Sequence, residues 1–149
     1  MERSIEPVRA VYECLERGDL DGAVASFADD CEIELMGPRS IPFAGTYRGG
    51  EGMREFLTKF TSSADILEFG PDEFHGADGF VTVIGHEHAR SKATGREWNT
   101  RLIDTFEVRD GKIHKFLCGY DTASVADAFS AVARTNAANE SEQPGAMRH

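Results

Sequence analysis

The first half of the chain places apolar residues three and four positions apart, which is the spacing of amphipathic helices. This spacing predicts a helix over 5–17, a short second helix over 19–28 and a third helix over 51–60. Residues 31–36 alternate between apolar and charged side chains and predict one early strand. The Gly- and Pro-rich segment 37–50 predicts a loop.

The second half of the chain changes to a period of two residues, which predicts four strands joined by short turns. These strands span 65–70, 78–91, 96–110 and 111–120. A last apolar stripe predicts a helix over 123–133, and the polar segment 134–149, which has no period, predicts a disordered tail. The order of elements predicts a single α+β domain over 1–133, in which a curved sheet wraps helices on one face.

One carboxylate interrupts the apolar face of a predicted strand. In the stretch "LIDTFEVRDGKIHKF", Asp104 alternates onto the same face as Leu102, Phe106 and Val108. Because an unpaired buried carboxylate is strongly destabilising, we expect Asp104 to be paired, protonated or turned towards a cavity. Asp104 is therefore the first candidate for chemistry.

Composition narrows the classes of function. With 16 basic and 26 acidic residues, the net charge of −10 disfavours binding to nucleic acid. No apolar run approaches the length of about 18–20 residues that spans a bilayer, and the N-terminus lacks the pattern of a signal peptide. Three widely spaced cysteines suit buried reduced thiols better than disulfides or a zinc site. These features predict a cytoplasmic protein without membrane or nucleic-acid partners.

Four strings, in this order, resemble the nuclear transport factor 2-like cone fold, and within it the ketosteroid isomerase and SnoaL-like polyketide cyclase group. They are "GDLDGAVASFADD", "GTYRGGEGMREFL", "LIDTFEVRDGKI" and "YDTASVADAF". The resemblance implies a cone-shaped roll in which a curved, mixed or antiparallel sheet wraps around three N-terminal helices, followed by a short C-terminal helix. It also implies a homodimer formed through the sheet, and a pocket that admits a small, mostly apolar molecule.

The resemblance gives Asp104 a role. The segment Ile103–Phe106 resembles the ketosteroid isomerase strand whose aspartic acid points into the cone and donates a hydrogen bond to the substrate oxygen. The rest of that isomerase's machinery is missing, because its base falls at Leu35 and its tyrosine donor at Val11, one residue before Tyr12. The sequence therefore predicts a donor without a base.

Three more residues are candidates for acid–base chemistry. His114 shares the inward face if the hairpin keeps its register, and otherwise is a partly exposed strand residue. Glu87 would be a second inward acid; a slip of one residue would instead turn His86 and His88 inward as metal ligands. Asp121 resembles the aspartate that closes the last strand of SnoaL-like cyclases, or else caps the terminal helix.

The other candidates would bind the ligand. The pleat, the family register and the loop at the mouth imply a pocket wall of mainly apolar and aromatic side chains. These are Leu35, Phe43, Tyr47, Trp98, Leu102, Phe106, Phe116, Cys118 and Tyr120. Such a wall predicts a hydrophobic or aromatic, oxygen-bearing ligand.

The first functional hypothesis is an isomerase or polyketide cyclase, without cofactor or metal, that moves a proton next to a carbonyl. Because the family's base is missing, a non-catalytic binding protein of the same fold is the alternative. Two further alternatives are an epoxide hydrolase, which would require an inward arginine, and a pure oligomerisation module with a filled cone.

Overall fold

A computed structural model describes residues 2–130, with side chains described from residue 4 onwards. The elements are α1 (Glu2–Arg17), α2 (Leu20–Val24), β1 (Phe27–Leu35), β2 (Gly45–Arg48), α3 (Gly49–Ser63), β3 (Ala64–Ala77), β4 (Phe80–Ser91), β5 (Glu97–Arg109), β6 (Lys112–Gly119) and α4 (Thr122–Ala128). The predicted tail over 134–149 and the end of the last predicted helix lie outside the described residues. No helix within the described part is both long enough and apolar enough to span a membrane.

All six strands belong to one sheet in the order β2-β1-β6-β5-β4-β3. Strands β3 to β6 form the antiparallel meander predicted from the two-residue period. Strand β1 pairs parallel to β6, and β2 pairs antiparallel to β1 at one edge. The curved mixed sheet and the helices beside it confirm the predicted α+β cone fold.

Three strands differ from the prediction. Strand β1 begins at Phe27, four residues earlier than predicted, and the second helix correspondingly ends at Val24. Strand β2 lies inside the segment that was predicted as a loop, and it pairs with β1 through Gly45 and Thr46 as well as Tyr47. Strand β3 is longer than predicted and continues past Pro71, where a shift in register accommodates the residue that cannot donate a backbone hydrogen bond. The Gly and Pro content of 37–50 predicts a loop at β2, and the two-residue period predicts a strand over 65–70 only.

The helices are held on the sheet by apolar contacts. Helix α1 buries Val8, Val11 and Tyr12 in a core that also includes Ile33 of β1 and Ile113 of β6. Burial of each large apolar side chain contributes about 1.5–3 kcal/mol, so this face fixes the helix against the sheet. The three cysteines are free and buried within the same core, as the sequence predicts.

A glycine at the junction of β2 and α3 keeps α3 close to β1. Gly49 has a φ of +70°, and a Cβ atom on it would lie 2.4 Å from the backbone oxygen of Asp29. Gly111 in the turn between β5 and β6 has a similar φ of +76° but open space around it. The two positions therefore separate the effect of conformation from the effect of close approach.

We expect Gly49→Ala to lower the free energy of unfolding by at least about 3 kcal/mol, because it combines a strained φ with a backbone clash. Gly111→Ala is the matched control and is expected to cost about 1 kcal/mol, since only the backbone conformation is disfavoured. Urea denaturation of the three proteins measures the difference. Equal losses in the two variants would contradict the packing argument.

Candidate functional site

A cavity of about 380 Å³ lies between α1, α3 and the concave face of the sheet. Its size is at the lower end of the range of roughly 300–1,000 Å³ that is typical of small-molecule sites. The wall is mainly apolar and includes Val11, Leu15, Phe27, Met53, Phe56, Phe60, Leu102, Phe106 and Phe116. Four titratable side chains interrupt this apolar wall: Tyr12, Glu87, Asp104 and Cys118.

Asp104 and Tyr12 form a hydrogen-bonded pair in this wall. The Tyr12 hydroxyl on α1 donates to Oδ2 of Asp104 on β5 across 2.5 Å. Asp104 is only 4% exposed, and its Oδ1 has no partner with hydrogen-bond geometry among the described residues. Since buried polar atoms are normally paired, Oδ1 is the atom that a ligand in the cavity would satisfy.

The surroundings of Asp104 hold its pKa near neutrality. Burial is the largest effect and raises the pKa to about 6 from 3.8, while hydrogen bonding from Tyr12 and an interaction with the Cys118 thiol oppose it. Burial, and next the charge of Asp104, raise the pKa values of Tyr12 and Cys118 well above their ordinary range. Both neighbours therefore stay protonated as donors, while Asp104 gains and loses its proton close to physiological pH.

Glu87 on β4 is the second carboxyl group of the cavity. Its Oε2 accepts a hydrogen bond from the Trp98 indole Nε1 across 2.9 Å. Burial raises the pKa of Glu87, the bond from Trp98 opposes this, and the charge of Asp104 adds to the increase. The indole therefore fixes one oxygen of Glu87, and the carboxyl group forms part of the cavity wall.

Six of the predicted site residues line the cavity together. They are Glu87, Leu102, Asp104, Phe106, Phe116 and Cys118. Asp104 pairs with Val83 of β4 on one side and with Cys118 of β6 on the other. This register brings the six residues to the inward face, as expected from the sequence. Strand alternation in the sequence therefore predicts which side chains of β5 and β6 face inward in this part of the sheet.

His114 does not join this group. The pairing of β5 with β6 shifts so that Glu107 opposes Lys115 while Val108 opposes Ile113, which leaves His114 as the extra residue of a bulge. Its Nδ1 lies 2.9 Å from Arg109 and 3.6 Å from Asp30. The expected common face with Asp104 is therefore interrupted, and His114 is outside the cavity wall.

Asp121 caps a helix instead of reaching the cavity. Its carboxylate accepts a hydrogen bond from the backbone N–H of Ser124 across 3.1 Å at the start of α4. This is the structural alternative that the sequence offered for Asp121. The residue faces a shallow depression on the other side of the sheet.

Five predicted ligand-binding residues also lie outside the cavity wall: Leu35, Phe43, Tyr47, Trp98 and Tyr120. Phe43 and Trp98 belong to a second apolar cluster beside α4, and Tyr120 packs against that cluster. The tyrosines hold loops, since Tyr47 donates to the backbone oxygen of Phe43 and Tyr120 donates to that of Met36. These side chains fill space that the sequence assigned to the pocket.

The two histidines of "GHEHAR" lie outside the cavity wall, as expected. His86 contacts Asp72 at 3.0 Å, and His88 contacts Glu97 at 2.7 Å. Within residues 2–130, no group of three or more potential ligands among His, Cys, Asp and Glu is placed to hold a metal ion.

Tyr12 is the site residue that the sequence analysis missed. The expected donor position falls on Val11, one residue before Tyr12, although Tyr12 lies at helical spacing on the apolar stripe of the first helix with Val8 and Leu15. That stripe was nevertheless a usable signal. A tyrosine on a helix face that packs onto a sheet brings its hydroxyl into the core, where it needs a polar partner.

Comparison with known proteins matches residues 8–116 to the family model described as a SnoaL-like domain. The chain belongs to the SnoaL-like family. Solved structures of similar fold place the SnoaL-like domain in the nuclear transport factor 2-like superfamily. A nuclear transport factor 2-like protein from Burkholderia xenovorans is 28% identical, with a TM-score of 0.78 over 87% of this chain and 97% of that one. No curated protein matches the sequence significantly.

Two further structures share the fold of the SnoaL-like domain at lower identity. TerC, co-crystallised with polyporic acid, is 22% identical, with a TM-score of 0.76 over 85% of this chain and 98% of its own. A Xanthomonas campestris protein provisionally described as a polyketide cyclase is 20% identical, with a TM-score of 0.68 over 87% and 98% of the two chains.

The raised pKa of Asp104 makes the stability of the domain depend on pH. The folded carboxyl group, with a pKa of about 6, binds its proton more tightly than an ordinary carboxyl of 3.8. Stability is therefore full below pH 4 and falls as pH rises towards 6. We compare the free energy of unfolding of Asp104→Asn with that of the wild type at two pH values. We expect this difference to shift in favour of the variant by about 3 kcal/mol between pH 3.5 and pH 8.

Urea denaturation at both pH values measures this change. Asn still accepts the hydrogen bond of Tyr12, so the variant removes the titration and keeps the packing. Asp110→Asn, in the exposed turn after β5, provides the baseline. A stability difference for Asp104→Asn that is the same at both pH values would contradict the assigned pKa.

Proposed function

We propose that this SnoaL-like protein is an isomerase or cyclase that transfers a proton next to a carbonyl group of a hydrophobic or aromatic small molecule. The observation that carries the proposal is Asp104, a buried carboxyl group in an apolar cavity with Oδ1 unpaired and Oδ2 held by Tyr12. A general base works best when its pKa lies near the operating pH. Asp104, with a pKa of about 6, meets this condition.

The proposal changes the role that the resemblance implied for Asp104. An aspartic acid kept protonated would act as a donor, whereas a pKa of about 6 leaves Asp104 mainly ionised at neutral pH. The residue then supplies the base that was missing at Leu35. Tyr12 donates its hydroxyl proton to the same carboxylate and thereby orients Asp104 as the base.

In the proposed step the proton leaves one carbon of the ligand and returns to another, so no other reactant is needed. Ionised Asp104 accepts the proton from the carbon beside the carbonyl, and the electron pair of that C–H bond enters the enolate. The resulting carboxylic acid returns the proton to another carbon of the conjugated system, so Asp104 is ionised again. The apolar wall excludes water from the reacting carbon.

Two other observations bear on the choice of function. Polyporic acid in TerC and the provisional cyclase description of the Xanthomonas protein both concern small organic molecules in this fold. The epoxide hydrolase alternative loses support because the cavity wall, within the described residues, contains no arginine. The cavity also argues against a filled cone.

A β,γ-unsaturated ketone such as 3-cyclohexenone tests the proposal, because isomerisation to the conjugated ketone is visible in the ultraviolet. We expect Asp104→Asn to lower kcat/KM by a factor of about 10²–10⁴ through loss of the base. Activity of the wild type should rise with pH through the pKa of about 6 and then level off. Asp110→Asn is the matched control and should keep wild-type activity.

Two results would contradict enzyme activity of this kind. Turnover that survives in Asp104→Asn would exclude Asp104 as the base. Tight binding of the ketone and its enol analogues, with no product in the wild type, would identify a binding protein instead.

We also propose that the protein forms a homodimer through the outer face of the sheet. Met36, Ile103 and Leu117 are 44%, 51% and 37% exposed. They line one shallow depression that crosses β5 and β6. Adjacent exposed apolar side chains on the outer face of a sheet are typical of a contact between subunits.

We expect Ile103→Lys to convert a dimer into a monomer, because a charge at the centre of this patch would lose its water on association. Leu67→Lys, on edge strand β3, replaces an equally apolar residue that is 42% exposed and should leave the dimer intact. Sedimentation equilibrium measures the mass of each variant. A wild-type monomer, or a dimer that tolerates Ile103→Lys, would contradict the proposed face.

A further inference from the structure

Glu87 is a carboxyl group of the cavity wall that the proton-transfer step does not use. Glu87 is half-buried in this mainly apolar wall, where a carboxyl group is destabilising, so its presence there requires a reason. The indole N–H of Trp98 donates a hydrogen bond to Oε2 of Glu87 and so stabilises one of the two carboxyl oxygens. Within residues 2–130, no hydrogen bond involves Oε1.

The two carboxyl groups of the cavity are separated along the strands. Glu87 opposes Thr100 in the pairing of β4 with β5, whereas Asp104 opposes Val83, four residues further along β4. At about 3.3 Å per residue, these rungs are about 13 Å apart. Asp104 and Glu87 therefore enter the cavity wall from two different levels of the sheet.

The geometry points to a ligand with two oxygen functions. We propose that Glu87 is a specificity-determining residue that binds a hydroxyl group at the far end of a two-ring aromatic or alicyclic ligand, while the reacting end lies at Asp104. The inference rests on the proposed function, because it requires the same cavity to hold the ligand. Trp98 keeps the Glu87 carboxylate in place without lining the cavity itself.

The cavity volume agrees with a ligand of this size. A chamber of about 380 Å³ accommodates a two-ring frame with little room for longer chains. In its ionised form the Glu87 carboxylate accepts hydrogen bonds and cannot donate them, so that form selects a hydroxyl over an ether or a carbonyl at that end. Two separated polar anchors also fix which end of the frame meets Asp104.

Naphthols provide probes with the oxygen functions at chosen positions. We expect wild-type protein at pH 8 to bind 2,6-dihydroxynaphthalene about tenfold more tightly than 2-naphthol, through one added hydrogen bond to a charged group. The isomer 2,3-dihydroxynaphthalene carries both hydroxyl groups at one end and should bind no better than 2-naphthol. Isothermal titration calorimetry measures the three dissociation constants.

The variant Glu87→Gln keeps the bond to Trp98 but presents an amide N–H₂ group in place of the free carboxylate oxygen. We expect it to lose the preference for 2,6-dihydroxynaphthalene and to favour 6-methoxy-2-naphthol, whose ether oxygen only accepts. Glu107→Gln, on the outer side of β5, is the matched control and should keep the wild-type order of affinities.

The outcomes separate this inference from the proposed function. Equal affinity of the wild type for the 2,6- and 2,3-isomers, or an unchanged preference in Glu87→Gln, would overturn the role of Glu87 alone. Failure of 2-naphthol itself to bind would overturn the two-ring ligand and with it the role of Glu87, whereas ketone turnover that depends on Asp104 would still support the proposed function. Loss of ketone turnover in Asp104→Asn is measured independently of either result.

Discussion

The hydrogen bond between Tyr12 and Asp104 is the interaction on which the site depends. It joins α1 to β5 across 92 positions of sequence and lies within the apolar core. A buried carboxylate without this bond would have a still higher pKa, because burial raises the value and the bond from Tyr12 lowers it. The same contact therefore locates the first helix on the sheet and keeps the acid in the range where it exchanges protons at neutral pH.

The fold was largely predictable because its signals are local. The change from helical spacing to two-residue alternation after α3 predicted the meander, and the family strings predicted the way the sheet curves around the helices. Strand β2 was missed because its pairing with β1 overrides a sequence rich in Gly and Pro. In that segment the stabilising partner is a strand that ends ten residues earlier, and local propensity carries little information about pairing across the intervening loop.

The site was predictable only in part, for a similar reason. Alternation along β5 correctly placed Asp104, and the register of β4 correctly turned Glu87 inward. The direction of the His114 side chain depends on a bulge. A bulge arises from the pairing of two strands, and the sequence of one strand alone does not indicate it. Tyr12 depends on how α1 is rotated over the sheet, so its partner could be recognised only once both elements were in place.

The carboxyl groups show why such a cavity is costly and why it is useful. Asp104 is destabilising whenever it is ionised, and the domain tolerates it because the apolar contacts of α1 with the sheet compensate. Replacing Asp104 with an apolar side chain would remove this cost along with the group that a ligand would meet. The Cys118 thiol lies beside Asp104 as a weak donor. It lowers the pKa of Asp104 against the effect of burial, but it leaves Oδ1 without a hydrogen bond. An acid that is incompletely satisfied by the protein retains the capacity to bind a proton, or a ligand, from the cavity.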